Sequence, residues 1–119
     1  VYFSVCLNLN PYTFVGNRPF NLSTEATLDR GLANVGLRSM RTVPFLGLIG
    51  SALGTGERLR NARSVDYRAD ISHIRFEAFD KVPYQVDGDH IGDIDVLDIA
   101  HRPDALALVV PPSGRFDAP

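Results

Sequence analysis

The sequence predicts a mainly β fold: an antiparallel β-sandwich with one short helix. Three observations carry this expectation. Apolar residues recur at every second position in several short segments, the signature of strands with one buried face. Turn-forming Gly, Pro, Asn and Asp separate those segments at short intervals. Only one segment shows helical spacing.

The first strand is Val1 to Asn10, with Val1, Phe3, Val5, Leu7 and Leu9 on one parity and Ser4, Asn8 and Asn10 on the other. It opens in mid-pattern without an initiator Met, so the expectation is a fragment of a longer protein. Asn10-Pro11 and Gly16-Asn17-Arg18-Pro19 supply turn chemistry around a short strand at Thr13 to Val15. A turn is expected at Asp29 to Gly31, leading into a strand over Ala33 to Met40 in which Ala33, Val35 and Leu37 alternate with polar or small residues. Thr42 is placed to cap a helix with Pro44 in its first turn. Val43, Leu46, Ile49 or Gly50, and Leu53 recur at helical spacing, and Gly54-Thr55-Gly56 ends the helix.

From Arg63 onward the pattern is all strand. Val65, Tyr67 and Ala69 alternate, as do Ile74, Phe76 and Ala78. Asp80-Lys81 is expected to turn the chain. Val82, Tyr84 and Val86 alternate up to Asp87-Gly88, a strong hairpin signal. Asp93 to Ala100 and Ala105 to Val110 are two more strands, joined by His101-Arg102-Pro103-Asp104. The domain is expected over residues 1–111, with 112–119 as a flexible tail.

Composition narrows the function classes. At 119 residues, 45% hydrophobic and 22% charged, the chain has the balance of an ordinary globular domain with a core. A net charge of −2 argues against a general nucleic-acid binder. The single Cys6 excludes an intrachain disulfide and fits a reducing compartment. The longest apolar stretch, Val43 to Leu53, is broken by Pro44, Gly47 and Gly50 and is too short to span a bilayer.

Most chemical motifs are absent. There is no Gly-x-Gly-x-x-Gly, and Gly54-Thr55-Gly56-Glu57 lacks the Gly-Lys-Ser/Thr of a P-loop. His73, His90 and His101 lack metal-motif spacing. A calcium loop starting at Asp87 would put Gly92 correctly at its sixth position, but Ile91 falls where an oxygen ligand is needed. Arg58, Arg60, Arg63 and Arg68 form a modest basic stretch. It reads as a solvated strand edge or, more sharply, as a contact for anionic lipid or phosphate.

Three blocks in order carry a resemblance. The first is Asn10-Pro11-Tyr12 followed by Arg18-Pro19-Phe20. The second is Ala26-Thr27-Leu28-Asp29-Arg30-Gly31-Leu32-Ala33-Asn34-Val35. The third is Tyr84-Gln85-Val86-Asp87-Gly88-Asp89, followed by Pro103 to Pro111. Together they resemble the C-terminal domain of diacylglycerol kinase-like lipid kinases, the superfamily of bacterial lipid kinases and sphingosine kinases. The match runs from about Val5 to Pro111.

The resemblance implies a β-rich sandwich that is one half of a two-domain ATP-dependent kinase. The nucleotide would be bound by an N-terminal domain of the same chain, with Mg2+ accompanying ATP. The acceptor would be a lipid hydroxyl such as that of diacylglycerol, its acyl chain held in an apolar cleft. The enzyme would work in the cytoplasm, in peripheral contact with the inner membrane face, with room for oligomers; this half alone would be inactive. By position, Asp89 takes the role of the family's Glu, the acceptor of the hydroxyl proton. Asp87 caps the turn beside it and Gly88 supplies a positive φ.

The family's metal loop maps onto the backbone around Leu28 and Leu32, but Arg30 stands where the ligand Asp is expected. A guanidinium cannot ligate a cation and repels one. The expectation is that Arg30 replaces the ion and meets the acids it would bridge. Asp29 offers an oxygen but points to the other face if the segment is extended. The alternative to a kinase half is a non-catalytic lipid-binding or assembly module.

Overall fold

The computed structural model describes residues 1–107 and 109, and these form a mainly β structure of seven strands and two short helices. In chain order they are β1 (Phe3–Leu7), β2 (Thr13–Val15), β3 (Arg18–Phe20), β4 (Leu32–Leu37), α1 (Thr42–Ala52), α2 (Glu57–Asn61), β5 (Val65–Ile71), β6 (His73–Val86) and β7 (Asp89–Ala100). All strand pairs are antiparallel.

The core is built around β4, the central strand of a β1-β4-β5 sheet. Its register puts Ala33 opposite Leu7, and Val35 opposite both Val5 and Tyr67. Residues opposite one another share a face, so these side chains form one apolar surface. Leu48 and Ala52 of α1, Leu59 of α2, and Leu22 and Ala26 of the preceding loop belong to the same buried cluster. The other face carries Ser4, Cys6, Asn34, Gly36, Asp66 and Arg68. Asn34 is buried there and accepts a 2.7 Å bond from Ser4 Oγ. Burial pushes the Cys6 thiol above its ordinary pKa.

The strand alternation of β1 is realised only in part. Val5 and Leu7 turn inward, whereas Val1, Phe3 and Leu9 are exposed. β1 is an edge strand, and its ends run past the cover that the helices provide.

Helix α1 starts one residue early: Arg41, not Thr42, occupies the N-cap position, and it makes no side-chain cap bond. Its inward face agrees only in part with the one expected. Ile49 and Leu53 are among the less exposed residues, but Leu48 and Ala52 are the buried ones and Leu46 faces solvent; the side chain of Val43 lies outside the described residues. The sequence Thr42 to Ala52 is apolar nearly all round, so its periodicity does not select a face.

A second helix follows, which the sequence pattern did not indicate. Gly56, in the left-handed region at φ 76°, redirects the chain into α2. Leu59 anchors that turn in the core, and its amide donates to Ser51 Oγ at 3.2 Å. Arg58 and Arg60 therefore lie on a helix and not on a strand edge.

A bulge in β5 shapes the loop before β4. Between the pairs Asn34–Arg68 and Leu32–Ile71, β5 contains one extra residue. Asp70 absorbs it at φ 54°, a conformation that Asp tolerates better than most side chains. The bend aims Asp70 Oδ1 at the Gly31 amide, 2.9 Å away.

Strand pairing changes partners at Ser72. The chain leaves the three-stranded sheet there and enters a separate β6–β7 hairpin, where the His101 amide donates to Ser72 O at 2.8 Å. The expected sandwich core is not formed among the described residues: β6 and β7 are a separate two-stranded sheet, and none of their residues belongs to the buried cluster of the β1-β4-β5 sheet. The radius of gyration, 15.6 Å, reflects this projecting arm; a compact chain of this length has about 13.5 Å.

Asp80-Lys81 does not turn the chain. Both residues lie inside β6, in a register irregularity between Glu77–Val96 and Val82–Ile94. Four residues of β6 there, 78–81, stand against Asp95 alone of β7, and the three extra residues switch the parity of β6. Ile74, Phe76, Leu97 and Ile99 share one face near the base, and Val82, Tyr84 and Ile94 share the other face toward the tip. Of the expected strand at Ala105 to Val110, residues 105–107 and 109 are irregular, and Leu108 and Val110 lie outside the described residues, as does the expected tail at 112–119.

Gly31 has little freedom to change. A Cβ there would sit 2.6 Å from the Ile71 carbonyl oxygen, a backbone atom that moves only with β5. Gly31→Ala is expected to lower stability by roughly 1–3 kcal/mol, read as a reduced urea midpoint with an unchanged slope.

Candidate functional site

The residues singled out in the sequence fall in two places. The first is the tip of the hairpin. Val86 pairs with Asp89, and the two residues between them both have positive φ, 51° at Asp87 and 87° at Gly88. That is a type I′ turn, whose twist matches the flanking strands. Asp87 takes the first left-handed position and Gly88 the second, as their residue types favour. Asp87, Gly88, Asp89 and His90 are all exposed. Asp89 opens β7 with its carboxylate free of any ion pair among the described residues.

The second place is the loop from Thr27 to Leu32. The Arg30 amide donates to Thr27 O at 3.1 Å, closing the expected turn. Thr27 Oγ1 donates to Asp29 Oδ1 at 2.6 Å. That bond, followed by one from the Asp29 backbone and the charge of Arg30, holds the Asp29 carboxyl below its ordinary pKa, although the group is fully exposed. Leu28 is exposed and Leu32 is buried.

These residues do not fit a bound magnesium ion. Arg30 brings a fixed positive charge, Asp29 is occupied by Thr27, and among the described residues no three carboxylate, His or Cys side chains gather in a metal-binding group. Arg30 does not meet the acids that such an ion would bridge. Its side chain is exposed and forms no ion pair among the described residues, because the nearby Asp70 is turned onto the Gly31 amide.

The first two sequence blocks meet through Asn10, which follows β1 and precedes a cis Asn10–Pro11 peptide. The Asn10 amide donates to Ala26 O at 3.0 Å, and its Nδ2 donates to Asn21 Oδ1 at 2.8 Å. Asn21 in turn ties the end of α1 to this loop, donating from its amide to Ala52 O at 2.6 Å and from Nδ2 to Gly54 O at 2.8 Å. The tip of the third block lies on the separate β6–β7 sheet, and neither the cleft beside Tyr67 nor the hollow at Glu77 joins Asp89 to the Thr27–Leu32 loop.

Sequence reasoning missed a polar cluster beside α2. Tyr67 OH donates to Glu25 Oε2 at 2.9 Å, so Ser23 Oγ, 2.7 Å away, must donate to the phenol. Arg60 lies over the ring, 5.9 Å from its centre, with its guanidinium 3.7 Å from Glu25 Oε1. Burial first, and then the Glu25 partner, raise the Tyr67 pKa against the opposing Ser23 donation. Ser23 gives its proton to Tyr67 and not to a base, so nothing activates it as a nucleophile. The cluster lines a cleft of about 120 Å³ with Thr24, Thr55 and Glu57. That is well below the ~300 Å³ at which ligand pockets begin. The second cleft, about 240 Å³, is an open hollow at Glu77, Ala78 and Phe79. Neither is a deep apolar cleft for an acyl chain. The sequence signals for the cluster are Arg60 in the basic stretch and a Tyr on the inward parity of β5, which a packing role explains equally well.

No family model, curated protein or solved structure matches this chain. No helix of the described residues is long and apolar enough to cross a membrane.

The Thr27–Asp29 bond is testable through pH. A carboxyl whose folded pKa is depressed adds stability above its unfolded value of about 3.9, and that stability fades as pH falls through the lower folded value. Thr27→Val removes the largest cause of the shift. The Asp29 carboxyl, followed by carbon-detected NMR titration, is expected to move upward toward the ordinary value; an unchanged titration would show that the hydroxyl bond is not what holds it down.

Proposed function

We propose that this chain is the lipid-side half of an ATP-dependent lipid kinase, and that Asp89 orients the acceptor hydroxyl. The observation that carries the reading is the ordered set of three sequence blocks, the last of which ends in an aspartate on an exposed, well-defined turn. A type I′ turn fixes its flanking residues more closely than an open loop does, and a positioned carboxylate is what hydroxyl activation requires.

In this reading a second domain of the kinase supplies ATP. The lipid hydroxyl oxygen bonds to the γ-phosphorus as the bond to the departing ADP breaks, and the hydroxyl proton passes to Asp89. Phosphoryl transfer draws mainly on positioning and charge. An Asp, about 1.5 Å shorter in reach than Glu, suffices if the tip is brought close to the donor. No step runs through a cation on the Thr27–Leu32 loop. Diacylglycerol is the acceptor named by the resemblance, and peripheral contact with a cytoplasmic membrane face follows from such a substrate.

A second reading, a non-catalytic lipid-binding or assembly module, is favoured by one observation. Arg30 stands at the expected ligand position and the loop is complete without an ion. One assay separates the two. In the full-length kinase, Asp89→Ala is expected to lower kcat about 100-fold or more, with Asp89→Glu retaining activity and the 119 residues alone showing none. An unchanged rate in Asp89→Ala would leave the assembly reading.

A further inference from the structure

The β6–β7 hairpin is long and apolar in stretches, and beyond its base at Ile74 it is a two-stranded sheet with no third strand beside it. A two-stranded ribbon is at best marginally stable in water. Yet Phe79, Val82, Val86 and Ile91 are each between 45% and 109% exposed. Natural strand edges of this kind are usually covered or blunted.

Charge says what covers them. Within residues 73–100 there are seven carboxylates against Arg75 and Lys81, a balance of −5. Within residues 1–72 there are five carboxylates against eight arginines, a balance of +3. The charge left unpaired among the described residues is also lopsided, with Lys81 as the minority sign in the hairpin and Asp29, Glu57 and Asp70 as the minority sign in the body. In the hairpin, Asp80, Asp87, Asp89, Asp93 and Asp95 have no ion-pair partner among the described residues. In the body, Arg18, Arg30, Arg41, Arg58 and Arg63 are exposed and equally unpaired.

We propose that a second copy of this chain covers the hairpin, the acidic arm of each copy lying on the arginine-bearing body of the other. The apolar stretch at Val82, Tyr84 and Ile94 supplies the contact, and the charges set its orientation. Pairing arm to arm would bring −5 onto −5, whereas pairing arm to body joins opposite signs. The size is adequate. A 12-residue ribbon is about 40 Å long and two strands are about 10 Å wide, a footprint of roughly 400 Å². Reciprocal exchange covers an arm and a body site on each copy, about 800 Å² per partner, the size of a standard stable interface. The arrangement is isologous and closes as a dimer. It does not depend on the kinase reading.

Sedimentation equilibrium on the 119-residue chain, from about 1 to 200 μM, tests it. The wild type is expected to dimerise with concentration and to dissociate as salt rises. A triple arm variant (Asp80→Lys, Asp93→Lys, Asp95→Lys) and a triple body variant (Arg41→Glu, Arg58→Glu, Arg63→Glu) should each weaken self-association about tenfold or more. Mixing the two should restore a heterodimer, because each supplies the sign the other has lost. Val82→Glu should also dissociate the dimer, with circular dichroism confirming that the body remains folded. A wild type that stays monomeric throughout, a dimer indifferent to both charge variants, or a mixture that does not recover would overturn the proposal. A monomer would assign the arm to a different protein or domain.

Discussion

The structure depends on burying β4 on both of its faces. Leu32 through Gly36 are all buried, which no edge strand achieves. One face needs the helices and the Leu22–Ala26 loop above it; the other needs the bond between Ser4 and Asn34. Each buried Val or Leu adds about 1.5–3 kcal/mol. Asn34 would cost a comparable amount if Ser4 did not satisfy it. No buried side-chain nitrogen or oxygen among the described residues lacks a partner. The Gly31 contact, the Asp70 bulge and the Asn10–Asn21 ties all serve to deliver the chain to β4 in register.

What the sequence showed follows from how local each signal is. The alternation of β5, the turn at Asp29–Gly31 and the Asp87-Gly88 hairpin are set by neighbours a few residues apart, and they were legible. Helix α2 was not, because Glu57–Asn61 is too short to show a period and exists through Gly56 and the burial of Leu59. The inward face of α1 is only partly legible, in Ile49 and Leu53 but not in Leu48, because an evenly apolar helix has no preferred side. Asp80-Lys81 looked like a turn by composition, but extra residues in β6 absorb it as a bulge. The sandwich was inferred from strand count, and strand count carries no information about which sheets stack.

The candidate site shows the same division. The tip geometry at Asp89 came from a two-residue signal and was legible. The fate of Arg30 was not, because it turns on Asp70, 40 residues later, which a bulge aims at the Gly31 amide. The Tyr67 cluster joins Ser23, Glu25, Arg60 and Tyr67 from three parts of the chain. Such long-range polar contacts leave no periodic trace. The molecule is thus a body with its own core and an acidic arm that leaves Phe79, Val82, Val86 and Ile91 exposed.

Amide hydrogen exchange on the dilute chain tests that division most directly. The account predicts that β4 amides exchange slowest, at the rate of global unfolding, and that amides of residues 82–94 exchange about a hundredfold faster through local opening of the arm. Equal protection across β4 and the distal arm would contradict it, because the arm would then share the body's core.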